Sequence, residues 1–267
     1  MRKFSLLLLL TSVLVFLCTF AFAATDEGKA TAASDEIKTE EPTASGTEGG
    51  DFLVGIKYTP NLAYHYGDNR DATIKMIDGG TTSMASQVTA NFIGFGLTVH
   101  KTLKALPFLG IGFDVLYVQK NVTYDSVIID SFGKHTGDIN LKLGLLEIPI
   151  LIKFVHSAGL TVGAGIGFNI PVYAKIENDI TLHKNTRDIY DEVKTQVVIP
   201  FRINYMLNVK PLVVGIEAGV DIGLTDYTND GTKFFTTSEK EAFGYSDFSV
   251  MFGLSFLYDM PVSLPIW

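Results

Sequence analysis

The feature that most constrains the fold of this chain is a strict alternation of apolar residues with glycine or polar residues over long stretches. The clearest case spans residues 160–174, where every even-numbered position is apolar. These positions are Leu160, Val162, Ala164, Ile166, Phe168, Ile170, Val172 and Ala174. A period of two residues is that of a β-strand. The stretch is also far longer than the usual strand of about five or six residues.

The same alternation occurs in eight stretches along the chain, including this one. The apolar stripes cover residues 52–58, 93–99, 109–117, 146–154, 160–174, 193–205, 212–224 and 248–258. Ahead of the fourth stripe, Leu141, Leu143 and Leu145 have the opposite parity. This change predicts a bulge or a strand start near Leu145. The pattern as a whole predicts an all-β fold of eight antiparallel strands.

The connections between the stripes alternate in length. Three are short, at residues 102–106, 156–159 and 208–210. Four are long and polar, at residues 67–86, 123–138, 177–191 and 229–242. Such alternation is typical of up-and-down transmembrane β-barrels, which have short periplasmic turns and longer extracellular loops. It places both ends of the predicted barrel, residues 51–258, in the periplasm.

The first 23 residues predict a signal peptide. Arg2 and Lys3 precede an apolar run that ends in Ala21-Phe22-Ala23, a small-x-small cleavage pattern. Cys18 is the one cysteine, so cleavage after Ala23 leaves none for disulfides or thiolate metal sites. A lipoprotein at Cys18 is the less favoured alternative, because Leu17 is bulky. No later run reaches the roughly 18 apolar residues that a membrane helix requires.

The two flanking segments differ from the barrel in composition. Residues 24–50 combine small, polar and acidic residues with no aromatic, which predicts a disordered acidic linker. Residues 259–267 form a C-terminal tail. Loss of Arg2 and Lys3 changes the formal charge from -8 to -10, which argues against nucleic acid as a partner.

The face opposite the apolar stripes indicates which side meets lipid. It is rich in glycine, at positions 55, 94, 96, 110, 112, 163, 165, 167, 215, 219, 223 and 253. Glycine suits the crowded lumen of a small barrel and is a poor choice for a strand surface in water. The apolar stripes are therefore predicted to face lipid. A soluble lipocalin-like barrel with an apolar cavity is the alternative.

Several charged residues share the inward parity. They are Lys57, Asp114, Glu147, Lys153, Arg202, Glu217 and Asp221, with His100 near the periplasmic mouth. Charges in a narrow lumen must pair, so we predict a plug-like charge network. A turn through Val209-Lys210, with Asn208 facing Pro211, would set Arg202 directly opposite Glu217 as a cross-strand pair. A four-residue loop with Leu207 facing Leu212 gives the same register.

No constellation of residues indicates chemistry. The five histidines are scattered over loops and barrel ends, and no histidine or serine interrupts the apolar stripes. A catalytic site needs a nucleophile and a base within hydrogen-bond reach. The sequence therefore predicts no enzymatic activity, no metal site and no cofactor.

The strand Leu146–Phe154 reads LEIPILIKF, and the last strand carries Gly253, Phe256 and Tyr258. With these features the chain resembles the outer membrane β-barrel domain families of the OmpA, OmpX and OmpW type, and the Leu-Glu-Ile-Pro strand resembles their PorT-like branch. The resemblance implies an eight-stranded barrel in the outer membrane, surrounded by its lipid. It also implies that Gly253, Phe256 and Tyr258 form the signal read by the outer-membrane insertion machinery.

The sequence predicts a monomeric, non-enzymatic protein that anchors surface loops for contact with host, ligand or envelope components. The alternative is a porin-like or OmpW-like channel for small or hydrophobic molecules. Pro171 and Pro200 would then mark a lateral gap, because proline interrupts the hydrogen bonding of long strands.

Overall fold

A computed structural model of the chain describes residues 52–66, 73–75, 81–103, 105–130, 132–156, 158–179, 185–209, 212–227 and 246–260. The predicted signal peptide and linker, and the tail from residue 261, lie outside these residues and stay predictions. Within the described ranges, no helix is long and apolar enough to cross a membrane.

The described residues form fourteen strands and one short 3-10 helix at Tyr190–Glu192. The strands are β1 (Phe52–Tyr58), β2 (Asn61–Tyr66), β3 (Thr73–Lys75), β4 (Thr81–Ser86), β5 (Thr89–Asn91), β6 (Gly94–Leu103), β7 (Leu106–Gln119), β8 (Val122–Asp130), β9 (Gly133–Val155), β10 (Leu160–Asn178), β11 (Asn185–Asp188), β12 (Gln196–Val209), β13 (Leu212–Gly223) and β14 (Ser246–Asp259).

Eight of these strands close into a ring, in the order β1-β6-β7-β9-β10-β12-β13-β14 and back to β1. Every neighbouring pair is antiparallel. The predicted eight-stranded up-and-down barrel is confirmed. Closure removes the exposed edges that an open sheet would leave.

The stagger of the ring sets the width of its interior. Following paired residues once around the ring leads from Phe52 to Lys101, Ile111, Ile152, Ala164, Phe201, Val220, Val250 and then Leu62, ten residues beyond Phe52. Eight strands with this stagger tilt by about 40° and enclose a backbone cylinder of about 8 Å radius. Such a cylinder has room for side chains and little else.

The apolar stripes cover the outside of this ring, except that Ala174, which follows the register shift of β10, and Val193 pack against the interior cluster at the extracellular end. Ile56 and Ile152 are each 60% exposed and Leu97 is 59% exposed, although all three lie in regular paired strands. The opposite face of each strand is buried in the lumen. This orientation agrees with the sequence prediction, and a belt of exposed large apolar side chains is the surface that lipid requires.

The polarity of β9 reverses part-way along the strand. Between Leu146 and Phe154 its outward face is apolar, whereas Asn140 and Lys142 occupy the same face farther up. The inward face shows the opposite change, because Leu141, Leu143 and Leu145 are buried. The strand therefore leaves the lipid near Leu146 and continues into water, where a folded sheet buries its apolar face.

The predicted strand start near Leu145 is wrong. β9 runs without a break from Gly133 to Val155. The irregularity lies in its partner β10, where the register shifts between Pro171 and Tyr173, opposite Leu145. The opposite parity of the leucines instead marks the change of surroundings from lipid to water.

Part of what we predicted as long loops is β-structure. Residues 123–138 form the upper hairpin of β8 and β9. β3, β4, β8, β9, β10 and β11 then lie side by side in one sheet at the extracellular end of the barrel. This sheet was not predicted because β3, β4, β8 and β11 lie outside the eight apolar stripes.

Candidate functional site: the charged interior of the barrel

Lys57 lies at the centre of the lower part of the lumen. Its Nζ is 2.8 Å from Asp114 Oδ2 and 2.5 Å from Glu217 Oε1. Thr98 donates its hydroxyl to Asp114 Oδ1 at 2.6 Å. All four side chains are buried. One ammonium thus joins carboxylates on β7 and β13 across the narrow interior, as expected where buried charges must pair.

Arg202 connects Glu217 to Asp221. Its Nη2 is 2.6 Å from Asp221 Oδ1, and its Nε is 3.5 Å from Glu217 Oε1. Asp221 is therefore the closer partner. Arg202 also contacts Glu217, but this distance is longer, and the two residues are not directly opposite each other in the ladder.

The predicted register of this pair is wrong by two residues. Arg202 lies opposite Gly219, and Glu217 lies opposite Asn204. The ladder ends with Val209 opposite Leu212. The two-residue turn would have paired Asn208 with Pro211, which is unfavourable because proline has no N–H to donate to a ladder. The four-residue loop would have paired Leu207 with Leu212, whereas Leu212 pairs with Val209.

We expect the coupling energies of Arg202 to follow these distances. Double-mutant cycles with Arg202→Met should give about 2 kcal/mol for Asp221→Asn and less than about 1 kcal/mol for Glu217→Gln. The measurement is urea unfolding of the refolded barrel in liposomes. Equal or reversed coupling energies would contradict the described geometry.

Lys120 organises the upper part of the lumen. Its Nζ is 2.6 Å from Glu147 Oε1, 3.0 Å from Asp247 Oδ2 and 3.8 Å from Asp221 Oδ2. Through Asp221, this cluster joins the cluster around Arg202 and Lys57. The described charges therefore form one continuous network.

Sequence reasoning missed Lys120 and Asp247. The third apolar stripe ends at Tyr117 and the last one starts at Phe248, so both residues fell outside the stripes. Their parity was informative, because Lys120 continues the inward positions of Leu116 and Val118. Extending the period beyond the lipid-facing part of each strand would have found both.

Tyr227 covers this upper cluster from the extracellular side. Its hydroxyl donates to Asp247 Oδ2 at 3.1 Å and accepts from Asn169 Nδ2 at 3.2 Å. Asn169 also donates to Gln196 Oε1 at 3.2 Å. Burial, together with the Asp247 carboxylate, raises the pKa of the Tyr227 phenol well above its usual value. The phenol therefore stays protonated and keeps its role as donor.

Lys153 lies toward the periplasmic end with His100. The ammonium donates to His100 Nδ1 at 2.8 Å, and His100 Nε2 is 3.2 Å from Thr98 Oγ1. A Cβ at Gly112 or Gly163 would meet the Lys153 side chain within 3 Å. These lumen glycines therefore make the room that the long charged side chains need.

The described buried charges do not balance. The cations are Lys57, Lys120, Lys153 and Arg202, and the carboxylates are Asp114, Glu147, Glu217, Asp221 and Asp247. Four positive groups thus face five acidic ones, so the layer has one excess acidic group. The seven charged residues predicted from sequence are all buried in this layer.

Apolar clusters lie on both sides of the charged layer. At the periplasmic end, Leu53, Val213 and Leu257 pack together with Met206. At the extracellular end, a larger cluster contains Ala63, Val122, Tyr124, Ile139, Leu141, Leu143, Leu145, Ala174, Ile176, Ile189 and Tyr227. The described lumen is therefore a charged layer between two apolar seals.

The prolines interrupt the ladders of the ring. Pairing between β10 and β12 passes from Ala164 opposite Phe201 to Gly167 opposite Val198, which skips Pro200. A matching interruption separates β7 from β9 at Pro149, which we did not predict. Pro171 lies at the irregularity of β10.

The residues of the predicted assembly signal lie on both faces of β14. Phe256 and Tyr258 are exposed on the outer surface, and Gly253 lies in the lumen against Glu217. Recognition of this strand by the insertion machinery stays a prediction. Within the described ranges, no three His, Cys, Asp or Glu residues are arranged to hold a metal ion.

In a closed ring, the backbone N–H and C=O groups of every strand can pair with those of its neighbours, as lipid requires. The apolar belt outside and the ion-paired layer inside fit the same surroundings. The described residues form a closed eight-stranded antiparallel β-barrel with an apolar outer face, as transmembrane β-barrels have. No protein-family model matches the chain, and no curated protein does.

Solved outer-membrane barrels are similar to this chain at low sequence identity. Ail, the attachment invasion locus protein of Yersinia pestis, solved with the heparin analogue sucrose octasulfate, is 11% identical over 79% of this chain and 99% of its own, with a TM-score of 0.35. OprG of Pseudomonas aeruginosa is 10% identical over 80% and 97%, with a TM-score of 0.36. The outer membrane protease OmpT of Escherichia coli is 7% identical over 79% and 96%, with a TM-score of 0.33. The closed ring of eight paired strands defines the fold.

Proposed function

We propose that this protein is a non-enzymatic anchor whose sealed barrel holds an extracellular sheet and loops for contact with envelope or surface molecules. The observation that carries the proposal is the lumen, where an ion-paired layer lies between two apolar clusters. A barrel filled in this way favours a structural role over conduction.

The extracellular sheet supplies the contact surface. β9 continues above Leu146 for residues 133–145, which is about 40 Å of strand. At the tip of its hairpin with β8, the Phe132 side chain is 83% exposed. An exposed aromatic side chain on a rigid support is typical of recognition surfaces.

The non-enzymatic part of the proposal rests on the surroundings of His100. This histidine is buried between Thr98 and Lys153. A general base must reach the proton that it removes from a substrate. Among the described residues, the His100 ring is buried between apolar clusters at the two ends of the lumen, which argues against its access to a substrate.

Planar-bilayer recording tests the sealed lumen. Purified, refolded protein should give no current above leak, whereas a known porin prepared in the same way gives conductance steps. Reproducible steps from this protein would contradict the anchor and favour the channel.

Protease mapping on intact cells tests the surface role. We expect cuts near Phe132 and none at residues 156–159, which connect β9 to β10 at the periplasmic end. The reverse pattern would contradict the proposed orientation, and with it the contact surface.

The ladder interruptions at Pro149 and Pro200 favour a second candidate, a lateral route for hydrophobic molecules through the wall. In that case, liposomes with the protein should take up a hydrophobic fluorescent probe faster than empty liposomes. Pro200→Ala, which restores an N–H, should slow the uptake. Equal uptake with and without the protein would remove this candidate.

A further inference from the structure

Two members of the outer apolar cluster do not belong to any strand. Ile189 lies just before the 3-10 helix, with Val193 packed against the cluster, and Tyr227 lies beyond the end of β13. Both side chains are almost completely buried. The outer apolar cluster therefore contains two short segments outside the strands, residues 189–194 and 224–227, the second of which is bonded to β12 through Leu224 and Thr225.

These two segments are bonded to each other and to the barrel. Lys194 N donates to the carbonyl oxygen of Tyr227 at 2.6 Å, and Ile189 N donates to that of Ala174 at 3.1 Å. The Tyr227 phenol then reaches down to Asp247 and Asn169 in the charged layer. The tyrosine thus links the covering segments to the groups beneath them.

We propose that residues 189–194 and 224–227 form a lid over the outer end of the charged layer and that Tyr227 is its latch. The inference goes beyond the anchoring function, because it assigns a movable part to the barrel. Opening the lid breaks its hydrogen bonds to β10, β12 and the charged layer and withdraws the Ile189 and Tyr227 side chains from the cluster, but it leaves the ring strands paired, as in a local opening.

The periplasmic seal has a different construction. Leu53, Met206, Val213 and Leu257 all lie on ring strands that are paired on both sides. Moving any of them requires breaking strand ladders. The charged layer should therefore open toward the cell exterior and stay closed toward the periplasm.

Ser249 is a suitable reporter of this opening. It lies opposite Asp221 and two residues from Asp247 on the same buried face of β14. Its Oγ has no hydrogen-bond partner among the described residues, so Ser249→Cys removes no bond. Because acidic groups outnumber cations in this layer, a small cationic probe is the appropriate one.

The experiment measures how fast a membrane-impermeant, cationic methanethiosulfonate reagent modifies Ser249→Cys on intact cells. We expect slow modification in the otherwise unchanged protein. Adding Tyr227→Ala should raise the rate at least about tenfold, and Tyr227→Phe, which removes only the hydroxyl, should raise it by a smaller factor. Tyr190→Ala, in an exposed residue of the same lid, should leave the rate unchanged.

Further measurements distinguish local opening of the lid from destabilisation of the whole barrel. Heat-modifiable migration on SDS gels shows which variants fold, and Tyr227→Phe carries the test if Tyr227→Ala does not. Val213→Cys in the periplasmic seal should stay protected in both Tyr227 variants, and its equal acceleration would overturn the proposal. The proposal would also be overturned if neither Tyr227 variant changed the rate at which Ser249→Cys is modified. The same holds if Ser249→Cys with the native Tyr227 were modified as fast as Phe132→Cys.

Discussion

Lys120→Met is expected to destabilise the barrel by about 3–5 kcal/mol, the cost of removing one partner from a buried ion pair. The Lys120 ammonium lies within 4 Å of Glu147, Asp221 and Asp247, and it is almost completely buried. Its removal leaves neighbouring carboxylates in a low-dielectric interior without their shared cation. The measurement is urea unfolding of the refolded protein in liposomes.

Lys142→Met is the matched control for this change. Lys142 Nζ is 2.6 Å from Glu177 Oε2, but both side chains are about one-third exposed. An exposed pair contributes at most about 1 kcal/mol, so this variant should unfold almost as the parent does. Adding Asp247→Asn to Lys120→Met should restore part of the lost stability. Similar midpoints for Lys120→Met and Lys142→Met would contradict a network centred on Lys120.

Ile152→Arg is expected to cost about 2–4 kcal/mol, although the Ile152 side chain is 60% exposed. The reason is that its surroundings are acyl chains, in which a guanidinium loses its hydration. In a protein dissolved in water, the same substitution on an exposed strand position would change stability by less than about 0.5 kcal/mol. Unfolding from liposomes measures the difference.

Thr136→Arg provides the comparison on the same strand. Thr136 lies on the same face of β9 as Ile152, but above the point where the strand leaves the lipid. We expect little change in the unfolding midpoint. If Ile152→Arg were equally neutral, the apolar belt would not be in contact with lipid, and the membrane orientation of the barrel would be wrong.

Local patterns in the sequence determined the architecture of this protein. The period of two residues set the strands and their faces, because alternation follows from backbone geometry within each strand. The stripe of residues 146–154 therefore predicted an outward apolar face, and its opposite parity predicted a buried Glu147 and Lys153. Each of these inferences depends only on neighbours a few positions away in the chain.

Other features depended on how distant strands meet. Lys120 pairs with Asp247 because the ten-residue stagger of the ring brings the end of β7 and the start of β14 to one level. The contact of Arg202 with Asp221 depends on where the ladder between β12 and β13 ends. Tyr227 and Ile189 were unremarkable loop residues in the sequence. Only the tertiary structure decided these contacts. Side chains in a closed ring meet across the lumen, and their separation depends on how strands distant in sequence are positioned, which the pattern within one strand does not specify.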